Sequence, residues 1–488
     1  MRRIFAFLLA CAALYSDAIL DKPQGRVRDF ASLLYLRQNN DKIAQNSKVF
    51  YTLKSPKFIH LTAYSKRTSN ASLSLLVRCR EAPLKTLVNM SAECIAISLT
   101  PSQSFALKKE LKLKIADKIE AIDPNKAKLL RSLATNHPLK SLLKDKDLFF
   151  ALTNVPNFWH TPRSLTKKDI ETLQDDPRYS ELIERLAVAN MPHASIRWVH
   201  ESDAAKLDYK GAFYLGIIYA ASNDKELAFA AFQEAEKKAA TRYARDRALF
   251  WQWKVKQDKQ AFTALLTSQE INFYSLLAYE IAEKELPSIS TQAPAPEGSK
   301  AVYSSKDFGD PYFWDEIRKM IISRDIEKLK QELDKMAHSD GEAYRARILY
   351  LLDQRNLTNY YLNPYKKLLE GSSKNDQALI LAIMCQESRF IAPALSASYA
   401  VGVMQMMPFL IEDMKKSRKD KAPIWSFFDP AKEIPYAMGH IAWLQKKVSH
   451  PLYLFYSYNA GYGYTRRVAA DMFSDSDYEP YLGLERIS

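Results

Sequence analysis

Hydrophobic and polar residues alternate along most of this 488-residue chain with a helical period. From about residue 19 to residue 287, apolar residues recur at steps of three and four, as in Leu182, Ile183, Leu186 and Ala187. Such steps place apolar side chains on one face of a helix. The pattern therefore predicts a long series of amphipathic helices.

Two neighbouring segments, 211–219 and 228–232, indicate how these helices pack. Small residues alternate with aromatic ones in both segments, and Asn223-Asp224 separates them as a turn. Helix pairs that approach closely need small residues at their contacts, as in tetratricopeptide-like repeats. Because the chain keeps no strict repeat length, we predict an irregular α-superhelical solenoid over residues 19–300.

A stretch rich in proline and small polar residues interrupts the helical pattern at 287–298. Its composition is typical of a linker or a long loop. Amphipathic segments at 314–336 and 342–352 follow, and they predict a small helical linker domain over residues 301–370. A last domain, 371–488, begins where a Ser-x-x-Asp capping box precedes an apolar run.

Composition supports an all-α fold. The chain has only 12 glycines, whereas all-β folds and phosphate-binding loops depend on glycine.

The net charge of the chain, +14, favours an anionic partner. Because no nucleic-acid-binding motif is present, we do not predict nucleic acid as that partner. A cell wall with free carboxylates fits the charge, and a lysine-rich proteome is the alternative explanation.

The N-terminus has the features of a secretion signal. Arg2 and Arg3 precede an apolar run, 4–14, that is too short to cross a bilayer, and small residues end at Ala18. We predict a cleavable signal peptide over residues 1–18 and a periplasmic protein. A lipid anchor at Cys11 is the alternative. No later segment predicts a transmembrane helix.

Three cysteines follow this signal: Cys79, Cys94 and Cys385. In an oxidising compartment Cys79 and Cys94 can form a disulfide, although two buried thiols fit the sequence nearly as well. Cys385 lies in an apolar run, which favours a small core residue.

The apolar run at 378–390 carries an acidic residue. On a helix Ile380, Ile383, Met384 and Glu387 lie on one face. Burial of a carboxyl raises its pKa, which suits a group that donates a proton near neutral pH. The alternative is that Glu387 ends the helix and reaches water.

Three short motifs surround this residue in order. Glu387-Ser388 is followed by Gly-Val-Met-Gln-Met-Met-Pro at 402–408 and Tyr-Ser-Tyr-Asn-Ala-Gly at 456–461. Together they resemble the fingerprints of the soluble lytic transglycosylase family, in the family's order and with its spacing from the Glu to the Gln. The resemblance implies a lysozyme-like (goose-type) catalytic domain at 371–488.

The resemblance also implies a reaction. A peptidoglycan lytic transglycosylase cleaves the β-1,4 bond between N-acetylmuramic acid and N-acetylglucosamine and forms a 1,6-anhydromuramoyl end. Glu387 is expected to protonate the glycosidic oxygen and then accept the proton of the C6 hydroxyl. Family counterparts that bind substrate correspond to Ser396, Gln405, Met407, Tyr458, Asn459 and Glu485.

The chain departs from the family at two places. His440-Ile441 occupies the position of a Tyr-Leu pair. The family also continues into a further helix after the counterpart of Glu485, whereas this sequence ends at Ser488. We expect the cleft to be less stable without that helix.

The count of carboxylates bears on the chemistry. Most glycosidases need two carboxylates, whereas the matched motifs supply only Glu387. Other acidic residues lie between the motifs: Glu412, Asp413, Asp429 and Glu433. The alternatives to a transglycosylase are a lysozyme-like muramidase hydrolase and a non-catalytic wall-binding scaffold.

The sequence predicts no cofactor and no metal site, since the eight histidines are scattered and no nucleotide-binding loop occurs. Peptidoglycan glycan strands are the predicted partner. A cell-wall synthase or a secretion machine is a candidate protein partner.

Overall fold

The computed structural model describes residues 19, 21–38, 49–50, 53–54, 57–65, 71–153, 155, 158, 165–189, 197–287, 289–352, 359–448 and 451–468. The predicted signal peptide, Cys11 and Glu485 lie outside the described residues.

Helices dominate the described residues. Up to residue 287 they are α1 (Arg26–Gln38), α2 (Phe58–Ser65), α3 (Ala71–Glu81), α4 (Leu84–Leu87), α5 (Ala92–Ser98), α6 (Pro101–Ala106), α7 (Lys109–Ile119), α8 (Pro124–Ala134), α9 (Pro138–Leu142), α10 (Lys146–Leu152), α11 (Lys167–Leu173), α12 (Arg178–Val188), α13 (Tyr209–Ala221), α14 (Lys225–Lys238), α15 (Arg242–Lys256), α16 (Lys259–Leu265) and α17 (Phe273–Ile281). After residue 287 the helices are α18 (Ser305–Phe308), α19 (Pro311–Ser323), α20 (Ile326–Leu333), α21 (Glu342–Leu352), α22 (Lys374–Ser388), α23 (Pro408–Arg418), α24 (Pro430–Gln445), α25 (Pro451–Ala460) and α26 (Tyr462–Val468).

The remaining described elements are short. The strands β1 (Ile289–Ser290) and β2 (Asn359–Tyr360) pair in parallel, with Ile289 opposite Asn359. Single 3-10 turns lie at Arg197–Glu201, Ala204–Lys206, Ser339–Gly341, Lys366–Leu369 and Ile424–Phe428. The predicted all-α fold class is confirmed. None of the described helices combines the length and the apolar character that crossing a membrane requires.

Contacts divide the chain into two compact units: one contains Met1–Ser74 and Ser288–Thr465, and the other contains Leu75–Pro287 and Arg466–Ser488. Helices α1 and α2 thus belong to the same unit as α18–α25. The predicted boundaries 19–300, 301–370 and 371–488 stay predictions.

The second unit is a succession of helices in which chain neighbours pack together, among them the pairs α13–α14 and α14–α15. The predicted turn at Asn223-Asp224 falls between two of them, and the Asp224 side chain caps α14 by accepting from the Leu227 N–H. A Cβ on Gly216 would lie 2.6 Å from the Phe232 ring, so glycine permits the close approach. Phe232 also stacks on Trp251 at a centroid distance of 5.6 Å.

In the first unit, α1, the residues of the predicted linker domain and those of the predicted catalytic domain all contribute to one shared core, and a smaller core lies among α1, α2 and Val49. Residues 289–298 of the proline-rich stretch belong to this unit and contain β1. Ala293 is fully buried, its carbonyl accepts from Arg345 Nε at 2.8 Å, and its N–H donates to Glu342.

The predicted helical stretch at 314–336 is interrupted. Helix α19 ends at Ser323 because Arg324 adopts a left-handed conformation with φ 53°, and Asp325 caps the start of α20 by accepting from the Lys328 N–H. The predicted helix at 342–352 agrees with the bounds of α21.

A disulfide joins Cys79 to Cys94 in the second unit, with a Cα–Cα distance of 5.1 Å. Both cysteines are buried in one small core with Leu87, Ile95 and Leu99. Of the two alternatives that the sequence left open, the structure has the disulfide. Cys385 is a free, half-buried thiol.

We predict that the double variant Cys79→Ala/Cys94→Ala lowers the free energy of unfolding of the second unit. The sulfurs close a loop with a sequence separation of 15, and a loop of that length is worth about 3 kcal/mol of chain entropy. Urea titration under oxidising conditions measures the loss. Cys385→Ser is the control and should unfold like the wild type. Equal midpoints for the double variant and the wild type would contradict the prediction.

Candidate active site

The candidate acid Glu387 lies in the last turn of α22. Ser373 begins this helix, since its hydroxyl accepts from the Asp376 N–H at 3.1 Å, as the capping box predicts. Arg389 ends it in a left-handed conformation with φ 56°. The apolar residues Ile380, Ile383 and Met384 are buried.

Burial raises the pKa of Glu387 to about 7. Among the described residues no ion pair engages its carboxylate. Its place near the carboxyl end of a helix also disfavours a negative charge, because the helix dipole is negative there. Near neutral pH Glu387 is therefore protonated in a substantial fraction of molecules while remaining partly accessible, which suits a general acid.

The motif at 402–408 forms a tight loop next to the end of α22. Val401 and Met406 exchange backbone hydrogen bonds at 3.0 Å, and the Gly402 N–H donates to the Ala394 carbonyl at 2.9 Å. The Ser388 hydroxyl donates to the Val403 carbonyl at 2.8 Å. The residue beside Glu387 thus ties the end of the helix to this loop.

A second carboxyl binds this loop from the protein interior. Glu433 on α24 is fully buried, and its Oε1 accepts from the Met404 N–H at 3.1 Å. Its buried Oε2 finds no hydrogen-bond partner among the described residues. Burial raises the pKa of Glu433 well above its usual range, although backbone N–H groups of the loop oppose the rise. Burial therefore favours the neutral form of Glu433.

Gly402 makes room for this carboxyl. A Cβ there would lie 2.6 Å from the Phe427 carbonyl oxygen and closer still to Glu433 Oε2. Gly402 also has φ +83°, a conformation that side chains disfavour. The first glycine of the motif is thus required by the packing of Glu433 as well as by its own backbone.

Glu433 lies outside the three motifs, and their resemblance to the family predicts no role for it. The sequence of α24 nevertheless indicates that this carboxyl is buried. Glu433 begins an apolar stripe on α24 that continues through Ala437, Ile441 and Leu444, all of them buried. A carboxyl in such a stripe is the pattern that drew attention to Glu387.

Tyr458 on α25 reaches the same loop. Its hydroxyl donates to the Met404 carbonyl at 2.8 Å, so Met404 is held through both its N–H and its carbonyl. Burial raises the pKa of Tyr458 well above its usual range, and the neighbouring charges of Glu433 and Glu387 raise it further. Tyr458 is therefore a neutral phenol close to both carboxyls.

Gln405 lies within the loop and has a left-handed backbone with φ 50°. Its amide Nε2 donates to the carbonyls of Ala394 and Gly402, at 3.1 and 2.7 Å. The amide nitrogen therefore stabilises the loop, and Oε1 is the atom available to a ligand. A sugar hydroxyl or amide N–H is a suitable donor to it.

Ser396 precedes the loop in a turn that α1 and α2 hold in place. Its hydroxyl accepts from the Ala400 N–H at 2.8 Å and the Ser398 N–H at 3.2 Å. Arg26 donates to the Leu395 carbonyl and Lys57 to the Ala397 carbonyl. The buried ring of His60 lies 3.3 Å from the Tyr399 hydroxyl.

The other predicted substrate contacts have different surroundings. Met407 is half-buried and directly precedes α23, whereas Asn459 is exposed near the end of α25. Glu485 lies outside the described residues. The structure thus groups Ser388, Gln405 and Tyr458 around one loop beside Glu387, and the substrate roles stay predictions.

The other acidic residues that the sequence placed between the motifs are exposed. Glu412 and Asp413 are exposed on α23, where Glu412 pairs with Lys415. Asp429 caps α24 by accepting from the Ala431 N–H at 2.9 Å. Within the described residues, Glu387 is the half-buried carboxyl of the site and Glu433 is the buried one.

Residues 367–479 match the family model for the transglycosylase SLT domain. The match contains Glu387 and all three motifs.

Three solved structures resemble the whole chain at low identity. An inactive mutant of the lytic transglycosylase Slt from Pseudomonas aeruginosa has 13% identity and a TM-score of 0.46, over 94% of this chain and 83% of that one. The 70 kDa soluble lytic transglycosylase from Escherichia coli has 15% identity and a TM-score of 0.43, over 94% and 74%. A complex of the 70 kDa soluble lytic transglycosylase with bulgecin A has 13% identity and a TM-score of 0.42, over 98% and 85%.

No curated protein matches the chain significantly. The all-α fold carries a partly buried carboxylic acid in this site. The domain match at residues 367–479 agrees with the predicted resemblance to soluble lytic transglycosylases, and the predicted enzyme class, a peptidoglycan lytic transglycosylase, is confirmed.

We predict that Glu433→Gln folds with little loss of stability, whereas Glu433→Ala loses about 2 kcal/mol more. Glutamine keeps an acceptor for the buried Met404 N–H, and alanine removes it. Urea unfolding monitored by circular dichroism gives both values. An alanine variant as stable as the glutamine variant would show that the contact contributes nothing.

The difference in stability between the wild type and Glu433→Gln should also depend on pH. The folded-state pKa of Glu433 lies above its unfolded value of about 4.3, so this group's stabilisation falls as the pH rises from that value towards the folded pKa. Glutamine cannot lose a proton. The stability of the wild type minus that of Glu433→Gln should therefore decrease from pH 4 to pH 8.

Proposed function

We propose that this protein cleaves the β-1,4 bond between N-acetylmuramic acid and N-acetylglucosamine in peptidoglycan, with Glu387 as its only proton-transferring side chain. The observation that carries the proposal is the desolvated carboxyl of Glu387, which has a pKa of about 7 and lies beside the motif loop of an SLT domain. Such an acid is protonated in a useful fraction of molecules at neutral pH.

In the first step the Glu387 carboxyl donates its proton to the glycosidic oxygen as the bond from that oxygen to C1 breaks. Positive charge then develops on C1 and the ring oxygen of the muramic acid. In the second step the C6 hydroxyl oxygen bonds to C1, and its proton passes to the Glu387 carboxylate. The acid is regenerated, no water is consumed, and the product is a 1,6-anhydromuramoyl end.

The loop at 402–408 positions the substrate in this proposal. Gln405 Oε1 accepts from a sugar hydroxyl or acetamido N–H, and Tyr458 offers an aromatic face beside Glu387. Ser396, Met407, Asn459 and Glu485 complete the proposed set of substrate contacts. The Ser388 hydroxyl donates a hydrogen bond to the Val403 carbonyl, and in this proposal that contact fixes the position of the neighbouring Glu387.

The burial of the second carboxyl, that of Glu433, disfavours hydrolysis. A general base that activates water has to be ionised and has to reach the solvent. Glu433 is fully buried, is bonded to the Met404 N–H, and has a pKa raised well above its usual range. Glu433 does not reach the solvent and burial disfavours its ionised form, which supports the transglycosylase over the muramidase alternative.

We further propose that the enzyme acts in the periplasm, in remodelling or turnover of the cell wall. The basic residues at the N-terminus, the apolar run after them and the net charge of +14 support export and an anionic polymer as substrate. A cell-wall synthase or a secretion machine remains the proposed protein partner.

We predict that the wild type releases anhydro-muropeptides from purified peptidoglycan and that Glu387→Gln releases at least about a hundredfold fewer, since general acid catalysis contributes that much or more. Mass spectrometry of the soluble products measures both. Glu412→Gln, an exposed carboxylate on α23, is the matched control and should behave like the wild type. Reducing muramic acid ends from the wild type would identify a hydrolase, and absence of any product would favour a scaffold.

The pH dependence of the rate gives a separate prediction. Because burial raises the pKa of Glu387 to about 7, the acid is protonated below that pH and ionised above it. We expect kcat/KM for soluble glycan strands to fall above pH 7, approaching about tenfold per pH unit. A pH–rate profile between pH 5 and 9 measures this. An alkaline limb that begins near pH 4.5, the ordinary range of a glutamate, would contradict the assignment.

A further inference from the structure

A row of aromatic rings leads away from the proposed site along α24, α25 and α26. The Tyr458 and His440 ring centroids are 5.7 Å apart. His440 stacks on Trp443 at 5.8 Å with an interplanar angle of 12°. Trp443 meets Tyr462 edge to face at 5.5 Å. We name these four residues the aromatic row.

The row begins at the site and ends at the protein surface. Tyr458 is close enough to Glu387 for that carboxylate to act on its pKa. The Trp443 side chain is 45% exposed, although it belongs to a helix with a buried apolar face. The Lys447 ammonium lies 5.9 Å from the Trp443 ring centroid. An exposed tryptophan flanked by an imidazole and a cation offers an apolar face with a polar rim.

Helix spacing explains one pair of these rings. His440 and Trp443 are three residues apart on α24 and lie on the same face of that helix. Tyr458 and Tyr462 lie on α25 and α26, which Gly461 joins in a left-handed conformation with φ 89°. The contacts of Tyr458 with His440 and of Tyr462 with Trp443 connect the two pairs into one strip of rings.

We propose that the aromatic row is a sugar-binding subsite for the glycan strand beyond the two residues that flank the cleaved bond, with Trp443 as its outer platform. The proposal rests on the proposed function, since it extends the same cleft. Its ligand class is a pyranose in a β-1,4-linked chain of N-acetylated amino sugars.

The chemistry of the rings suits this ligand. One face of such a pyranose is lined by C–H groups and packs against an aromatic ring, while its equatorial hydroxyl and acetamido groups point outward to polar partners. Burial lowers the pKa of His440, so the imidazole stays neutral at physiological pH and can both donate and accept hydrogen bonds. Lys447 supplies a donor at the outer edge for a sugar oxygen or for the lactyl carboxylate of muramic acid.

A glycan strand is favoured as occupant because the row is continuous with Tyr458. A site for an unrelated ligand need not begin at a residue of the cleavage site. The subsite also gives the enzyme a preference for long strands, since only a strand that extends past Tyr458 reaches Trp443.

The test compares long and short substrates. We expect Trp443→Ala to lower the ratio of kcat/KM on peptide-free long glycan strands to kcat/KM on a tetrasaccharide about fivefold, equivalent to about 1 kcal/mol for one aromatic contact. Trp443→Phe keeps a ring and should restore most of the ratio. Ile322→Ala, an exposed apolar residue on α19 outside the row, should leave the ratio as in the wild type. An unchanged ratio in Trp443→Ala overturns the subsite.

Direct binding separates this proposal from the proposed function. In the Glu387→Gln background, binding of long glycan strands measured by calorimetry should weaken about fivefold when Trp443 is replaced by alanine. Equal affinity with and without Trp443 overturns the subsite even if the wild type cleaves peptidoglycan. Binding that depends on Trp443 in a protein whose wild type releases no product supports the subsite and refutes the proposed function.

Discussion

The site depends on one hydrogen bond to a buried acid. Glu433 lies at the base of the motif loop with no exposed surface, and its Oε1 accepts from the Met404 N–H. Through that contact it fixes the residue to which Tyr458 also donates. Gly402 is necessary because the carboxyl occupies the space that a side chain would fill. The loop, the glycine and the tyrosine are therefore parts of one packing arrangement.

This constraint explains why an ionisable residue is tolerated in the core. A charged Glu433 would need a counter-charge, and no ion pair engages it among the described residues. The neutral form avoids that requirement, and the loop supplies an N–H donor to its Oε1. Burial favours the protonated form and keeps the carboxyl from the solvent, which fits a structural residue better than a proton-transferring one.

Much of the site could be predicted from local sequence. The capping box at Ser373, the apolar face that ends at Glu387 and the order of the three motifs are properties of short segments, and periodicity reveals them. The raised pKa of Glu387 followed from the same pattern, because a carboxyl at the end of an apolar stripe is desolvated wherever the helix packs.

What could not be predicted depends on contacts between distant segments. Arg26 donates to the Leu395 carbonyl across 369 residues, and His60 lies against Tyr399 across 339. No local pattern in α1 or α2 indicates that they support the turn around Ser396. The apolar stripe on α24 indicates that Glu433 is buried, but its role depends on Met404, which lies 29 residues away in the chain.

The two carboxyls show how the environment separates their roles. Both lie on apolar helix faces and both have raised pKa values, yet only Glu387 retains partial access to solvent and a pKa of about 7. A group that donates a proton and later recovers it needs a pKa near the working pH, because a large shift in either direction would disable one of the two steps. Complete burial favours the neutral form of Glu433 and suits it to a structural role, and partial burial makes Glu387 suitable for chemistry.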